Sequence, residues 1–392
     1  MLQGKNIVLG VTGSISVYKA VDLASKLVQA GAAVDVVMTD AATEFVAPVS
    51  FGSLTRRPVI TKMFGDTAEY NIAHISLSDR ADMVVVCPAT ANIIAKMAHG
   101  IADDMLSCTV LATEAPVIVA PAMNYKMYRN PATRQNIETL KARGFTFVGP
   151  ATGRLASGAV GEGRLIEITA VLGAIRQVLG KRGDLAGKKV VVTAGGTQEP
   201  IDPVRHIGNR SSGKMGYAVA EAARDRGASV VLISAPAALE VPYGIESVPV
   251  KTAAQMHDAV AGAVKDADVL IMSAAVADYR PKKASDSKMK KESGELVLEL
   301  ERTVDILSAV DVPVKVGFAA ESDDLEANAS GKIATKKLDL IVANDITRTG
   351  CGFDSDTNEV LIIDSKGGKE KLPMMSKADL ADRILDRVAA LL

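Results

Sequence analysis

Short β-branched runs alternate with longer helical patterns over nearly the whole chain, and this alternation constrains the fold more than any other feature. A strand followed by an amphipathic crossover returns to a parallel neighbour, so the pattern predicts βαβ units around a mostly parallel sheet. Ile7 to Leu9, Val34 to Met38, Met83 to Val86, Val117 to Ala120 and Phe145 to Val148 read as strands of a first sheet. Between the first two, Val17, Val21, Ala24 and Leu27 recur at helical spacing, and Gly31 stands where a helix end favours a left-handed residue. The pattern then restarts. Gly187-Lys188-Lys189 leads into Val190 to Thr193 as Gly4-Lys5-Asn6 leads into Ile7 to Leu9, and in each half a Gly-bearing turn precedes a helix ending in Gly-Ala. Runs at Val269 to Met272, Val314 to Phe318, Leu340 to Val342 and Val360 to Ile363 supply further strands. The expectation is an α/β chain of two doubly wound, Rossmann-like three-layer domains, 1–180 and 187–392, parted in the charged stretch Gly180-Lys181-Arg182-Gly183-Asp184.

Composition removes several function classes. With 48% hydrophobic and 23% charged residues over 392 positions, the chain has the make-up of a soluble globular protein. Lys+Arg 45 against Asp+Glu 46 gives a charge of -1, which favours neither a nucleic-acid backbone nor an anionic membrane as partner. No apolar run approaches the ~18 residues of a membrane span, and the apolar stretch before Gly10 is too short for a signal peptide, so a cytoplasmic protein is expected. Cys87, Cys108 and Cys351 show no CxxC, and His74, His99, His206 and His257 show no HxxxH. Neither a disulfide framework nor a local zinc site is encoded.

Four stretches bear on chemistry. Gly10-Val11-Thr12-Gly13-Ser14-Ile15-Ser16 joins a strand to a helix, where free N–H groups, the helix dipole and hydroxyl donors suit a phosphate. It lacks the GxGxxG spacing and a clear ribose acid about 20 residues on, which favours a mononucleotide over a dinucleotide. Gly149, Gly153, Gly158, Gly161 and Gly163 crowd a loop that reads as a flap over a site or as an entropic linker. Arg280 to Gly294, with Lys282, Lys283, Lys288, Lys290 and Lys291, reads as a loop that is either a solvated face or functional. Gly208 to Met215 has the GxxxxGK spacing of a P-loop, but Met215 replaces the Mg2+-binding hydroxyl and Asp202-Pro203-Val204 separates the loop from its strand. A P-loop NTPase is rejected on both grounds.

The run from Gly10-Val11-Thr12-Gly13 through His74-Ile75-Ser76-Leu77, Pro88-Ala89-Thr90-Ala91-Asn92, Ala102-Asp103-Asp104 and Pro121-Ala122-Met123-Asn124 resembles the FMN-dependent cysteine decarboxylases. The second half, with Asp202-Pro203-Val204-Arg205 and Asn209-Arg210-Ser211-Ser212-Gly213-Lys214-Met215-Gly216, resembles phosphopantothenate-cysteine ligase. Together they are similar to the bifunctional coenzyme A biosynthesis proteins, which fuse the two activities. The resemblance implies an FMN site with Gly13, Ser14 and Ser16 at the phosphate and Thr39 and Thr90 at the flavin, His74 as an essential active-site residue, and Asn124 on the substrate carboxylate. Tyr128 stands where the family has Trp, and Ser157 in Leu155-Ala156-Ser157-Gly158 stands where its flap carries a Cys that acts as an acid. A hydroxyl is a far weaker acid than a thiol, so water, another group or a relay through Ser157 must supply the proton.

For the second half, the resemblance implies activation of phosphopantothenate by CTP as an acyl-cytidylate, then attack by the cysteine amine. Asn209 matches the residue binding that intermediate and Arg205 lies nearby; Ala274-Ala275-Val276-Ala277-Asp278-Tyr279 matches the AAVADY strand end, with Asp278 on CTP. Lys288 in Lys288-Met289-Lys290-Lys291 is the implied catalytic cation, Phe318 stacks on cytosine, and Lys332 and Lys336 meet phosphates. Asp305 and Ile306 remain from an Asn-Pro-Asp-Ile run whose first residues are Thr303-Val304 here. Mg2+ is expected with the triphosphate, its protein ligands unknown. A trimer-based decarboxylase and a dimeric ligase imply a homo-oligomer, a dodecamer, with the FMN site at a subunit interface. Two rivals remain: an active ligase joined to a decarboxylase weakened or made oxidative-only by Ser157, and a flavin-binding regulatory or scaffold protein, which His74 and the full ligase set disfavour.

Overall fold

The computed structural model describes residues 2–64, 73–290, 296–321, 324–345 and 355–392; Lys291, Gly294 and Cys351 lie outside the described residues. Contacts divide the chain into two units, Met1–Leu179 and Gly180–Leu392.

In the first unit, β1 (Asn6–Val11), β2 (Ala33–Met38), β3 (Met83–Ala89), β4 (Val117–Pro121) and β5 (Thr146–Phe147) form one parallel sheet in the order β2-β1-β3-β4-β5. β3 is buried at every position, as a strand covered on both faces must be. On one face Val8, Val84, Val86 and Val119 pack with Ile93, Ile94 and Met97 of the helix Ala91–His99, and with Ile137 and Leu140 of the helix Pro131–Ala142. The helix Val17–Gln29 buries Val17, Ala20, Leu23, Ala24 and Leu27, the stripe that the 3.6-residue period writes into the sequence. The glycine-rich segment departs from a loop: β6 (Ala151–Arg154) and β7 (Val160–Arg164) pair antiparallel as a hairpin. Gly161 and Gly163 escape a composition-based reading because they serve close packing, while Gly158 takes the positive φ of the hairpin turn.

In the second unit, eight strands assemble around β8 (Lys189–Ala194). β9 (Gln198–Pro200) and β10 (His206–Gly208) form a small separate hairpin. The main sheet adds β11 (Ser229–Ser234), β12 (Glu246–Pro249) and β13 (Val269–Met272). β14 (Tyr279–Pro281) and β15 (Leu300–Arg302) pair antiparallel and form the stem of the lysine-bearing segment, whose described residues 282–290 are loop as expected. β16 (Val314–Glu321), β17 (Leu340–Asp345), β18 (Thr357–Asp364) and β19 (Lys369–Ser376) complete the order β12-β11-β8-β13-β16-β17-β18-β19. The first six strands run parallel, β18 runs against them, and β19, antiparallel to β18, returns to their direction. Val190 and Val192 face a core with the helices Lys214–Asp225 and Lys377–Ala389, while Val191 faces one with the helices Ala253–Ala263 and Leu325–Lys336. Three layers result, as alternation along β8 requires. Among the described residues no helix is long and apolar enough to cross a membrane.

Candidate active sites

In doubly wound sheets, ligands sit past the carboxyl ends of the strands where the strand order reverses. The first unit reverses between β1 and β3, the second between β8 and β13. At each point a buried threonine stitches the two strand ends together. Thr12 Oγ1 donates to Pro88 O at 2.7 Å and accepts from Thr90 N–H at 3.1 Å. In the second unit, Thr193 Oγ1 accepts from Ala274 N–H at 3.1 Å.

The first cavity, about 790 Å3, brings together Gly13, Ser14, Ser16, Thr90, Asn124 and Ser157. A Cβ on Gly13 would lie 2.6 Å from Ala41 Cβ, so the turn admits no side chain there. Ser16 begins the helix Val17–Gln29 without capping it, and its hydroxyl lies 3.2 Å from that of Ser14. Thr39 is off the cavity wall, yet its Oγ1 is buried with no hydrogen-bond partner. Such an orphan costs roughly 1–3 kcal/mol, which marks it for a partner that the chain itself does not supply. Thr90 caps the helix Ala91–His99, accepting from Ile93 N–H at 3.4 Å.

Asn124 Oδ1 accepts from Lys126 N–H at 2.9 Å, which turns its amide N–H end toward Ser157 Oγ, 3.5 Å away. The hairpin that carries Ser157 is seated by glycine. A Cβ on Gly163 would fall 2.3 Å from Met123 O, and one on Gly161 2.8 Å from Tyr125 Cβ. Met123 N–H donates to Gly163 O at 2.9 Å, closing the seat.

Three cations on this wall, Lys19, Arg154 and Arg164, did not emerge as a set from the sequence. Glu167 joins two of them, at 3.1 Å from Lys19 Nζ and 2.7 Å from Arg164 Nη2. Lys19, three residues past Ser16 on the same helix, was the readable signal. His74, in the helix Ala73–Arg80, is not on this wall. Asp103 and Asp104 both pair with Lys96, and Asp104 caps the helix Met105–Ala112 with Ser107. Burial pushes the Cys87 thiol up to about 12, which leaves it inert. Tyr128 is buried, with the Arg134 guanidinium over its ring.

The second cavity, about 960 Å3, gathers Asn209, Ala274, Asp278, Asp305, Ile306, Phe318, Lys332 and Lys336. Asn209 Nδ2 donates to Val276 O at 3.0 Å, holding the Gly208–Gly213 loop to the segment that follows β13. A Cβ on Gly216 would meet Thr193 O and Ala194 Cβ at 2.7 Å, so glycine lets the following helix press onto β8. Burial pushes the Asp305 carboxyl up, but Lys336, 3.1 Å away, and Ser308 outweigh it and hold it below its ordinary value. Lys214, Lys377 and Asn358 also line the wall. Lys377 carried no local signal, because its strand-end position follows from the sheet order. Arg205 and the exposed Lys288 are not on this wall. Arg205 instead reaches the residue after Lys288: its Nη1 donates to Met289 O at 3.2 Å. Among the described residues no group of three or more His, Cys, Asp or Glu is placed to hold a metal ion.

Comparison with known proteins separates the same two units. The family described as Flavoprotein matches residues 1–180, and the DNA/pantothenate metabolism flavoprotein C-terminal domain matches residues 185–392. The coenzyme A biosynthesis bifunctional protein CoaBC of Bacillus subtilis is 50% identical over 398 residues, covering 100% of this chain and 98% of its own. Its counterpart of the same name in Escherichia coli is 41% identical over 395 residues, covering 99% and 97%. A crystal structure of the C-terminal domain of a protein of that name is 40% identical over 53% of this chain and 97% of its own, with a TM-score of 0.47.

Proposed function

The chain belongs to the family of bifunctional coenzyme A biosynthesis proteins, and from that premise we propose which side chains carry each of its two reactions. Phosphopantothenate and cysteine are joined at the expense of CTP in residues 187–392, and the resulting phosphopantothenoylcysteine is decarboxylated to phosphopantetheine in residues 1–180. The observation that carries this division is that Gly13, Ser14, Ser16, Thr90, Asn124 and Ser157 line a cavity of the first unit, and Asn209, Ala274, Asp278, Asp305, Phe318, Lys332 and Lys336 one of the second.

The first cavity fits flavin mononucleotide through a side-chain-free turn at Gly13 and hydroxyls at Ser14 and Ser16 that leave the helix start without a side-chain cap, and Thr39, off the wall, adds an orphaned buried hydroxyl. These, with Thr90, would hold it. When bound, the flavin would accept an electron pair from the substrate thiol and later return it, and the oxidised thiol carbon of the substrate would be the sink for the electrons of the departing carboxylate. Asn124 fixes the carboxylate, its amide orientation set by Lys126 N–H. Ser157, within reach of that amide, relays a proton from water. Lys19, Arg154 and Arg164 give the cavity the positive field that an anionic substrate needs. His74, off the wall of its own unit's cavity, acts across a subunit interface; trimers of this unit and dimers of the other would build a dodecamer.

In the second cavity, CTP converts the substrate carboxylate to an acyl-cytidylate with loss of pyrophosphate, and the cysteine amine then forms the amide with release of CMP. Negative charge gathers in both steps, so oriented cations dominate the catalysis. Lys332 and Lys336 meet phosphates, Phe318 stacks on the base, Asp278 reads it, and Asn209, Ala274 and Arg205 hold the intermediate. Asp305 and Ile306 shape the nucleotide wall, and Lys288 supplies a further, catalytic cation. The described residues do not form a resident metal site, so Mg2+ is taken to arrive with the triphosphate and no step is derived through it.

The test is an anaerobic reaction of the purified, flavin-loaded chain with phosphopantothenoylcysteine, following CO2, flavin absorbance and product mass, beside a CTP-dependent ligation assay for CMP. Catalytic phosphopantetheine with flavin oxidised at the end supports the reading. CO2 once per flavin and a product two hydrogens lighter would show that the reaction stops after oxidation, and no CO2 would remove the decarboxylase.

A further inference from the structure

Asp202 lies off the cavity wall, is 3% exposed, and collects more donors than a turn requires. Its Oδ1 accepts from Val204 N–H and Arg205 N–H, each at 2.8 Å; its Oδ2 accepts from Arg205 Nη1 at 2.8 Å and from Met289 N–H at 3.2 Å. The three local bonds are what an Asp at a turn makes for itself. The fourth comes from 87 positions away, between Lys288 and Lys290. Arg205 Nη1 also donates to Met289 O, so one ion pair grips both backbone polar groups of Met289. Ser285 N–H donates to Ile201 O at 2.8 Å, a second stitch to the same turn. Lys282, Lys283, Lys288 and Lys290 are all exposed. A segment this polar gains almost nothing from apolar burial, so directed hydrogen bonds must set its position.

Resting on the assignment of ligation to this unit, we infer that Asp202 is a positioning residue for that reaction, anchoring the base of the lysine arm so that Lys288 is presented from a fixed backbone. Burial pushes the carboxyl up, but the N–H groups of Val204, Arg205 and Met289, with the Arg205 charge, hold it below its ordinary value. It therefore stays ionised across the neutral range, with Arg205 as its charged partner.

In the full chain, Asp202→Asn keeps the shape but gives the arm one acceptor oxygen too few. The kcat for CTP-dependent ligation should fall about 10- to 100-fold, with KM for CTP changed less than about threefold, because a misplaced catalytic group costs rate rather than nucleotide binding. Tryptic cleavage after Lys288 and Lys290 should speed about tenfold as the arm opens more often. Decarboxylation by the same preparation should not change. Faster cleavage with unchanged kcat, or lower kcat with unchanged cleavage, would overturn the anchor. If the variant does not fold, hydrogen exchange on the unaltered chain decides: the Met289 amide should exchange at least about tenfold more slowly than those of Lys288 and Lys290, and equal rates would overturn the inference. A parent chain with no ligation would sink the ligase reading itself, and leave the exchange result to judge the anchor.

Discussion

Each unit carries a hairpin-based appendage, and the two are fastened by different physics. The hairpin of β6 and β7 is seated by missing side chains: Gly161 and Gly163 let its backbone lie against Met123 to Tyr125 where a Cβ would collide. The lysine arm on the stem of β14 and β15 is seated by charge, through Asp202 and Arg205 on Met289. A seat made by shape is indifferent to pH and salt, and tolerates almost no substitution. A seat made by a carboxylate yields to both solution conditions, yet each of its bonds is individually modest. The first suits a wall that stays in place over a cofactor, and the second suits a polar arm whose backbone must be fixed without apolar burial.

The contrast breaks most sharply at Gly163. Gly163→Ala puts a methyl 2.3 Å from Met123 O at a φ of +154, so the hairpin must lift. Displacing Asn124 and Ser157 by about 1 Å should cost roughly 100-fold in CO2 release, with CMP formation by the same preparation untouched. Equal loss of both activities would show that the glycine serves folding alone. Lys336→Ala is the next largest. It removes a cation from the second cavity and frees Asp305, and should raise KM for CTP about tenfold, the worth of one charge-assisted hydrogen bond.

Ser157→Cys sharpens the comparison from the other side, since it changes the chemistry at the hairpin tip and leaves the seat alone. A thiol is a better acid than a hydroxyl, so turnover to phosphopantetheine should rise about threefold, and the lighter, oxidised product should diminish by mass spectrometry. If neither moves, proton delivery bypasses this side chain.

The two smallest effects concern solution conditions. The folded value of Asp202 is depressed below the ordinary 3.8, so its contribution to docking is present above that value and lost as pH falls through the depressed one. Hydrogen exchange at Met289 should therefore stay slow to about pH 4 and speed up below it, while Met123, which donates to Gly163 O, should show no such step beyond the intrinsic exchange rate. Raising NaCl to 1 M shortens the screening length to about 3 Å and should speed tryptic cleavage of the arm by less than about threefold, because Arg205 is part-exposed. A large salt effect on the hairpin would erase the distinction.

Much of the molecule was legible beforehand. The strands predicted at Val190 to Thr193 and Val269 to Met272 agree with β8 and β13, because buried parallel strands are written as continuous apolar runs. Phe145 to Val148 shrinks to Thr146–Phe147 at the sheet edge, where pairing on one side alone sets the length. The glycine cluster and the lysine run were visible as anomalies, but glycine count cannot separate freedom from close approach. Lysine count likewise cannot separate a solvated face from an anchored arm. Asp202 appeared only as part of a motif, since its defining bond comes from Met289.

What the sequence determined by itself is local: period-2 and period-3.6 patterns, Gly31 and Gly227 at helix ends, and the hydroxyl-bearing turn after β1. These depend on sterics and hydrogen bonds within a few residues, so a short window contains their causes. The tertiary structure alone decided the strand order, and with it which turns share a cavity. It also decided that Thr12 stitches to Thr90, that Gly163 must lie under Met123 O, and that Lys377 reaches the second cavity. Each of these pairs residues far apart in the chain, and such pairing is fixed by how two layers of helices cover one twisted sheet, a condition that no local stretch of sequence can express.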